Sequence, residues 1–92
     1  MNKTLGLAYI AKKVVVGTDF VVESLRKKKL FLVVIATDAS DNTKKKIYDK
    51  SKTYETQVIE RLNSEELSKA IGMHNVKVIG ILDKGFSDLL VK

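Results

Sequence analysis

The chain has 92 residues, with 17 Lys and Arg against 11 Asp and Glu for a formal charge of +6, one His, and neither Cys, Pro nor Trp. A chain of this length folds as one domain that buries roughly 60–70% of its unfolded surface, and its 45% hydrophobic content is too high for a disordered tail. The longest apolar run, Leu30 to Ala36, is too short to span a bilayer, and a single His without Cys excludes thiolate zinc, disulfide and Cys-nucleophile chemistry.

The start, Met1 to Gly6, carries one charge and no cleavage-site pattern, so it does not read as a signal peptide, and a cytoplasmic location is expected. Leu7, Ile10, Ala11 and Val14 then recur at i, i+3, i+4 and i+7, which predicts a helix from Asn2 to about Lys13 with that face inward. Val14-Val15-Val16 reads as a short strand closed by Gly17. Thr18 or Asp19 can cap a second helix with Val21, Val22 and Leu25 inside, ending in Arg26-Lys27-Lys28-Lys29, where cations suit the helix dipole. Leu30 to Ala36 is apolar on both faces, as expected of a central strand covered on both sides.

Asp38 to Asn42 is a run of turn and cap residues that opens a third helix to about Thr53, with Ile47, Tyr48 and Ser51 on one side. Gln57 to Arg61 makes a short strand. Asn63 with Glu66 three residues on forms a capping box for a fourth helix, whose Leu67, Ala70 and Ile71 face inward and which Gly72 stops. Val76 to Leu82 is a mostly apolar strand, and Asp83 caps a last helix carrying Phe86, Leu89 and Leu90. The order α-β-α-β-α-β-α-β-α predicts a single-domain, three-layer α/β/α sandwich around a four-stranded mixed sheet over residues 1–92.

Little here points to catalysis or a cofactor. His74 stands alone in the loop Gly72-Met73-His74-Asn75, with no spacing that supplies an oriented partner. Glu65 and Glu66 suit the first turn of the fourth helix, and no glycine-rich nucleotide-binding string occurs. The junction Gly17-Thr18-Asp19-Phe20 is more informative: a strand ends, a helix begins, and free amides and a hydroxyl face whatever approaches. Without further context it reads better as an ordinary tight turn with a Thr or Asp cap, and the Asp19 carboxylate opposes a phosphate. The charge is also uneven, because residues 1–46 carry ten cations and four anions (10 − 4 = +6) and residues 47–92 seven of each (7 − 7 = 0). Lys12-Lys13 and Arg26 to Lys29 follow helices, where positive charge is locally favourable, whereas Lys44-Lys45-Lys46 lies near a helix start, where it is not. Such polarity is a hint of a polyanion-binding surface, although basic surface also serves plain solubility.

Taken together, several ordered strings resemble the kink-turn RNA-binding family of the ribosomal protein L7Ae, in its small bacterial YlxQ-type branch. They are Leu5-Gly6-Leu7-Ala8, Ala11 to Gly17, Val21-Val22 with Leu25-Arg26, Ile35 to Ser40 with Asn42-Thr43 and Lys45-Lys46, Glu65 to Gly72, and Asp83 to Ser87. The resemblance implies a compact, non-enzymatic domain without cofactor or metal. It also implies binding of structured, kinked RNA, ribosomal in the first instance, and a part in translation. The loop Gly17 to Phe20 would hold the RNA, with Met73, His74, Asn75 and Val76 meeting bulged bases. Beside them the basic residues Lys12, Lys13, Lys27, Lys28 and Lys29 are candidate phosphate contacts.

Family members carry Gly-x-Asn-Glu with a Lys three residues beyond the Glu. Here Gly17 and Thr18 match, while Asp19, Phe20 and Glu23 stand at the other three positions. Ionised Asp and Glu accept hydrogen bonds but cannot donate them to a base edge or meet a phosphate. The charge therefore argues for RNA in general better than for a kink-turn. Two expectations stay open: an RNA-binding protein, monomeric without RNA, or a module that docks ribosomal or transcription-factor proteins through Phe20. No membrane partner is expected.

Overall fold

In a computed structural model that describes residues 1–92, five helices alternate with four strands: α1 (Asn2–Ile10), β1 (Val14–Val16), α2 (Thr18–Arg26), β2 (Leu32–Ile35), α3 (Asp41–Thr53), β3 (Gln57–Ile59), α4 (Ser64–Ile71), β4 (Val78–Ile81) and α5 (Lys84–Val91). The strands form one mixed sheet in the order β1-β4-β2-β3, with β4 antiparallel to both neighbours and β2 parallel to β3. Helix α1 packs on α4 and α5, and α2 packs on α3 and across β1 and β4. This is the expected α/β/α layering.

The core follows from the two central strands. Every residue of β2 and β4 is buried, because helices cover both faces and each strand is flanked on both edges. Leu5, Val21, Leu25, Ile47, Leu67 and Leu90 close over them from the helices. Gly80 is needed at the centre: a Cβ there would lie 2.7 Å from Leu30 Cδ1 and 2.9 Å from Val15 Cγ2, so its hydrogen is what lets those side chains converge over β4.

Strand register gives the sheet two ends. Ile81 is paired with Val14 on one side and Leu32 on the other, so the starts of β1 and β2 share the Ile81 end. Val78, paired with Ile35, marks the opposite end, where β1 and β2 finish.

Several local expectations need correction. Helix α1 stops at Ile10, and it buries Leu5 and Ala8 rather than Leu7 and Ile10, which are 51% and 77% exposed. Its apolar residues surround the axis, so periodicity alone did not choose the buried side. Gly17, not Thr18 or Asp19, is the N-cap of α2. Strands β2, β3 and β4 are shorter than the expected 30–36, 57–61 and 76–82; in the first, Leu30 is buried but outside the ladder and Phe31 is half exposed. Tyr48 and Leu89 lie outside the core, whereas Ser51 is buried with Ile47 as expected, and Ser68 and Ser87 are buried too.

Candidate nucleic-acid interface

Gly17 has φ +103°, a backbone conformation that L side chains rarely adopt, and this turns the chain directly from β1 into α2. Its amide donates to the Val78 carbonyl at 3.0 Å, and its own carbonyl accepts from Val21 at 2.9 Å. One residue thus ends the strand, caps the helix and clasps β4 where β4 begins. The first-turn amides that follow have no partner within the helix, which is the usual electropositive helix start. Thr18 is half-buried there, and Asp19 and Phe20 project outward, Phe20 with 70% of its surface exposed.

The loop before β4 reaches the same end. Gly72, at φ +69°, closes α4 in the left-handed conformation, and Met73, His74 and Asn75 are exposed. Ser68, in α4, donates its hydroxyl to the Ser64 carbonyl at 2.6 Å and accepts the Val76 amide at 2.9 Å, which anchors the loop as it turns inward. The expected Gly17–Phe20 and Met73–Asn75 segments therefore lie at the same end of the sheet, on either side of the residues that lead into β4.

Several carboxylates at this end are already engaged. Asp38 accepts the Ser64 amide and the Ser64 hydroxyl, each at 2.8 Å, and so ties the loop after β2 to the start of α4. The Ser64 hydroxyl first, then its amide, with a smaller contribution from the Lys77 charge, hold the Asp38 carboxyl below its ordinary value. Lys44 bridges the Thr37 carbonyl at 2.7 Å and Glu60 at 3.0 Å. Glu60 also accepts the Tyr48 hydroxyl at 2.6 Å; that bond, then Lys44, lowers the Glu60 carboxyl, while burial and the Glu60 charge push Tyr48 up to about 12. Lys46 reaches Asp19, 3.7 Å away. Sequence pattern singled out Lys44 and Lys46 by their poor fit near a helix start, but it did not reveal these partners.

The remaining basic candidates are elsewhere. Lys13 precedes β1, and its carbonyl accepts the Leu82 amide at 2.8 Å, which fixes Lys12 and Lys13 at the Ile81 end. Helix α2 runs back from Gly17 and delivers Lys27, Lys28 and Lys29 to that same end. Three residues of strand and nine of helix amount to roughly 10 Å and 14 Å, so these lysines are remote from Gly17. Two surface cavities, of about 350 and 400 Å³, also border them, one lined in part by Lys28 and Leu30, the other by Tyr9, Ile10, Lys12 and Val14. Neither cavity includes His74 or Asp38. No helix is long and apolar enough to cross a membrane.

Such an arrangement defines a small α/β/α domain that presents two adjoining loops at one end of its sheet, clasped by a backbone hydrogen bond. The chain belongs to the Ribosomal protein L7Ae/L30e/S12e/Gadd45 family, which it matches over residues 1–91. It is 41% identical over 83 residues to an RNA-binding protein YlxQ of Enterococcus faecium, covering 90% of this chain and 80% of that one. It is 37% identical over 87 residues to an RNA-binding protein YlxQ of Bacillus subtilis strain 168, covering 95% and 87%. Among solved structures, a protein of unknown function from Bacillus halodurans superposes with a TM-score of 0.94 at 38% identity, over 98% of this chain and 91% of that one. A Giardia lamblia 15.5kD RNA binding protein shares the fold, with a TM-score of 0.80 at 14% identity over 98% and 78%.

Proposed function

We propose that the chain is a non-enzymatic, ribosome-associated RNA-binding protein of the cytoplasm that holds structured, kinked RNA at the Val78 end of its sheet. The Gly17–Val78 hydrogen bond carries this assignment, because it fixes the open amides of the first α2 turn beside the exposed Met73–Asn75 loop. A phosphate meets the helix start, an unstacked base meets the Phe20 ring, and Asn75 offers both a donor and an acceptor to a base edge. The YlxQ relatives, named as RNA-binding proteins, support the same view. Binding should be measured to a kink-turn RNA and to a plain duplex of equal length, each across a salt series. The kinked RNA is expected to bind more tightly, and Phe20→Ala to weaken that preference. Equal affinity for the two RNAs at every salt concentration overturns specific recognition at this end.

One observation favours a second function. A phenylalanine 70% exposed beside two paired charges is also what a protein partner would cover. If a translation or transcription protein copurifies stoichiometrically, resists nuclease and is lost with Phe20→Ala, protein docking replaces RNA recognition there.

A further inference from the structure

The Ile81 end is the more basic of the two. Lys12, Lys13, Arg26, Lys27, Lys28 and Lys29 are all exposed there, and of the six only Lys27 has a carboxylate partner, Glu23 at 3.4 Å. Other acids nearby do little to neutralise them. The Asp83 carboxylate accepts the Phe86 amide as the cap of α5, and Glu55 shares a cavity with Lys28 without reaching it as an ion pair. At the Val78 end Lys44 and Lys46 are paired, with Glu60 and Asp19, while Lys45 and Lys77 have no carboxylate partner.

The backbone holds two of these lysines in place. Lys12 and Lys28 each follow a helix in the left-handed conformation, at φ 59° and 57°, as does Glu55 after α3 at 56°. Glycine takes that position without steric penalty, yet the chain carries a long cation at the first two. The two lysine groups flank β4, because β1 and β2 start on either side of Ile81; two strand spacings separate them by about 10 Å. Unpaired like charges held this close repel one another and are relieved by a polyanion spread across both groups.

We propose that this lysine-rich end is a second RNA-contacting face, which grips the phosphate backbone of an RNA segment other than the one at Gly17. The contact is independent of sequence, since point charges on flexible stems meet phosphates rather than base edges. With both ends occupied the protein bridges two segments of a folded RNA. That bridging rests on the function proposed for the Gly17 end, whereas the backbone contact does not.

A plain RNA duplex is the probe, titrated between about 50 and 200 mM salt against the wild type, Lys12→Gly/Lys28→Gly and Lys13→Gln/Lys29→Gln. Each displaced counterion contributes about 0.9 to the slope of log affinity against log salt, so each double variant is expected to flatten that slope by about 2. The glycine variant should also melt above the wild type, as its left-handed positions lose their penalty, which separates weaker binding from unfolding. Wild-type slopes in both variants overturn the proposal. So does a wild type that binds phosphatidylserine vesicles in preference to duplex at equal salt. Loss of preference for kinked RNA with the slope changes intact ends only the function proposed for Gly17.

Discussion

Lys46, projecting from α3, places its Nζ 3.7 Å from Oδ1 of Asp19 in the first turn of α2. A third helix thus supplies a cation to an acid that stands where the family's motif has Asn. The pair is exposed, 50% on the lysine and 95% on the aspartate, so it adds little to stability. Its effect on a bound polyanion is larger, because Asp19 both repels phosphate and occupies Lys46. Asp19→Asn removes the repulsion, frees the ammonium and supplies a donor. Affinity for kinked RNA is expected to rise by about 1 kcal/mol, roughly fivefold, at low salt. The melting temperature should fall by no more than roughly 4–8 °C, since loss of an exposed pair and of a favourable first-turn charge costs about 1 kcal/mol or less. Titration calorimetry and thermal melts on the same samples check both; unchanged or weaker binding would show that phosphate does not approach Asp19.

Asp38 makes a pH-dependent prediction. Its carboxyl is held below the ordinary value of 3.8 by the Ser64 hydroxyl and amide, so folding favours the ionised form. The unfolded chain then binds the proton more readily, and the stabilisation is fully present above the unfolded value. It is lost as pH falls through the lower folded value. Urea midpoints of the wild type and Asp38→Asn should therefore differ most near pH 6 and converge well below pH 4. A gap that is constant with pH would mean that the Asp38 charge contributes nothing to the α4 start.

What could be read from the residues alone was mainly local. The Asn63–Glu66 capping box, the left-handed Gly72 and the Asp83 cap depend on residues within a few positions, and each is present as expected. The α/β/α layers followed from alternating patterns and two doubly buried strands. The inner side of α1 did not, because Leu5, Leu7, Ala8, Tyr9 and Ile10 leave no polar face to orient it. Nor did the separation of the basic clusters from Gly17. Lys13 and Gly17 are close in sequence, but a strand lies between them and carries them to opposite ends of the sheet. The Lys46–Asp19 and Asp38–Ser64 contacts join elements distant along the chain, and nothing in local spacing encodes them.

Ser51 carries a buried hydroxyl that no other group of the protein hydrogen-bonds. It is 1% exposed on the inner side of α3, and its Oγ has no hydrogen-bond partner. Burying an unsatisfied hydroxyl costs about 1–3 kcal/mol, and serine is also a weaker helix former than alanine. Ser51→Ala is expected to stabilise the protein by about 1 kcal/mol, which for a domain of this size raises the melting temperature by roughly 4–8 °C. Differential scanning calorimetry measures the shift. A drop instead would mean that the hydroxyl has a partner in solution, such as a trapped water.

Gly80 makes the opposite prediction. An alanine Cβ would stand 2.7 Å from Leu30 Cδ1 and 2.9 Å from Val15 Cγ2, with β4 fixed on both edges by its ladders to β1 and β2. The backbone therefore cannot retreat, and the β-branched Val15 has little rotamer freedom with which to yield. Gly80→Ala should destabilise by about 1–3 kcal/mol as an overpacked core. Leu30→Ala alone should cost about 2–5 kcal/mol by leaving a cavity. Combined, the two are expected to cost less than their sum by more than about 0.5 kcal/mol, since the new methyl occupies space that Leu30 vacates. Denaturant unfolding of the four proteins closes the cycle. Strict additivity would show that the clash with Val15, rather than with Leu30, sets the need for glycine at the centre of the sheet.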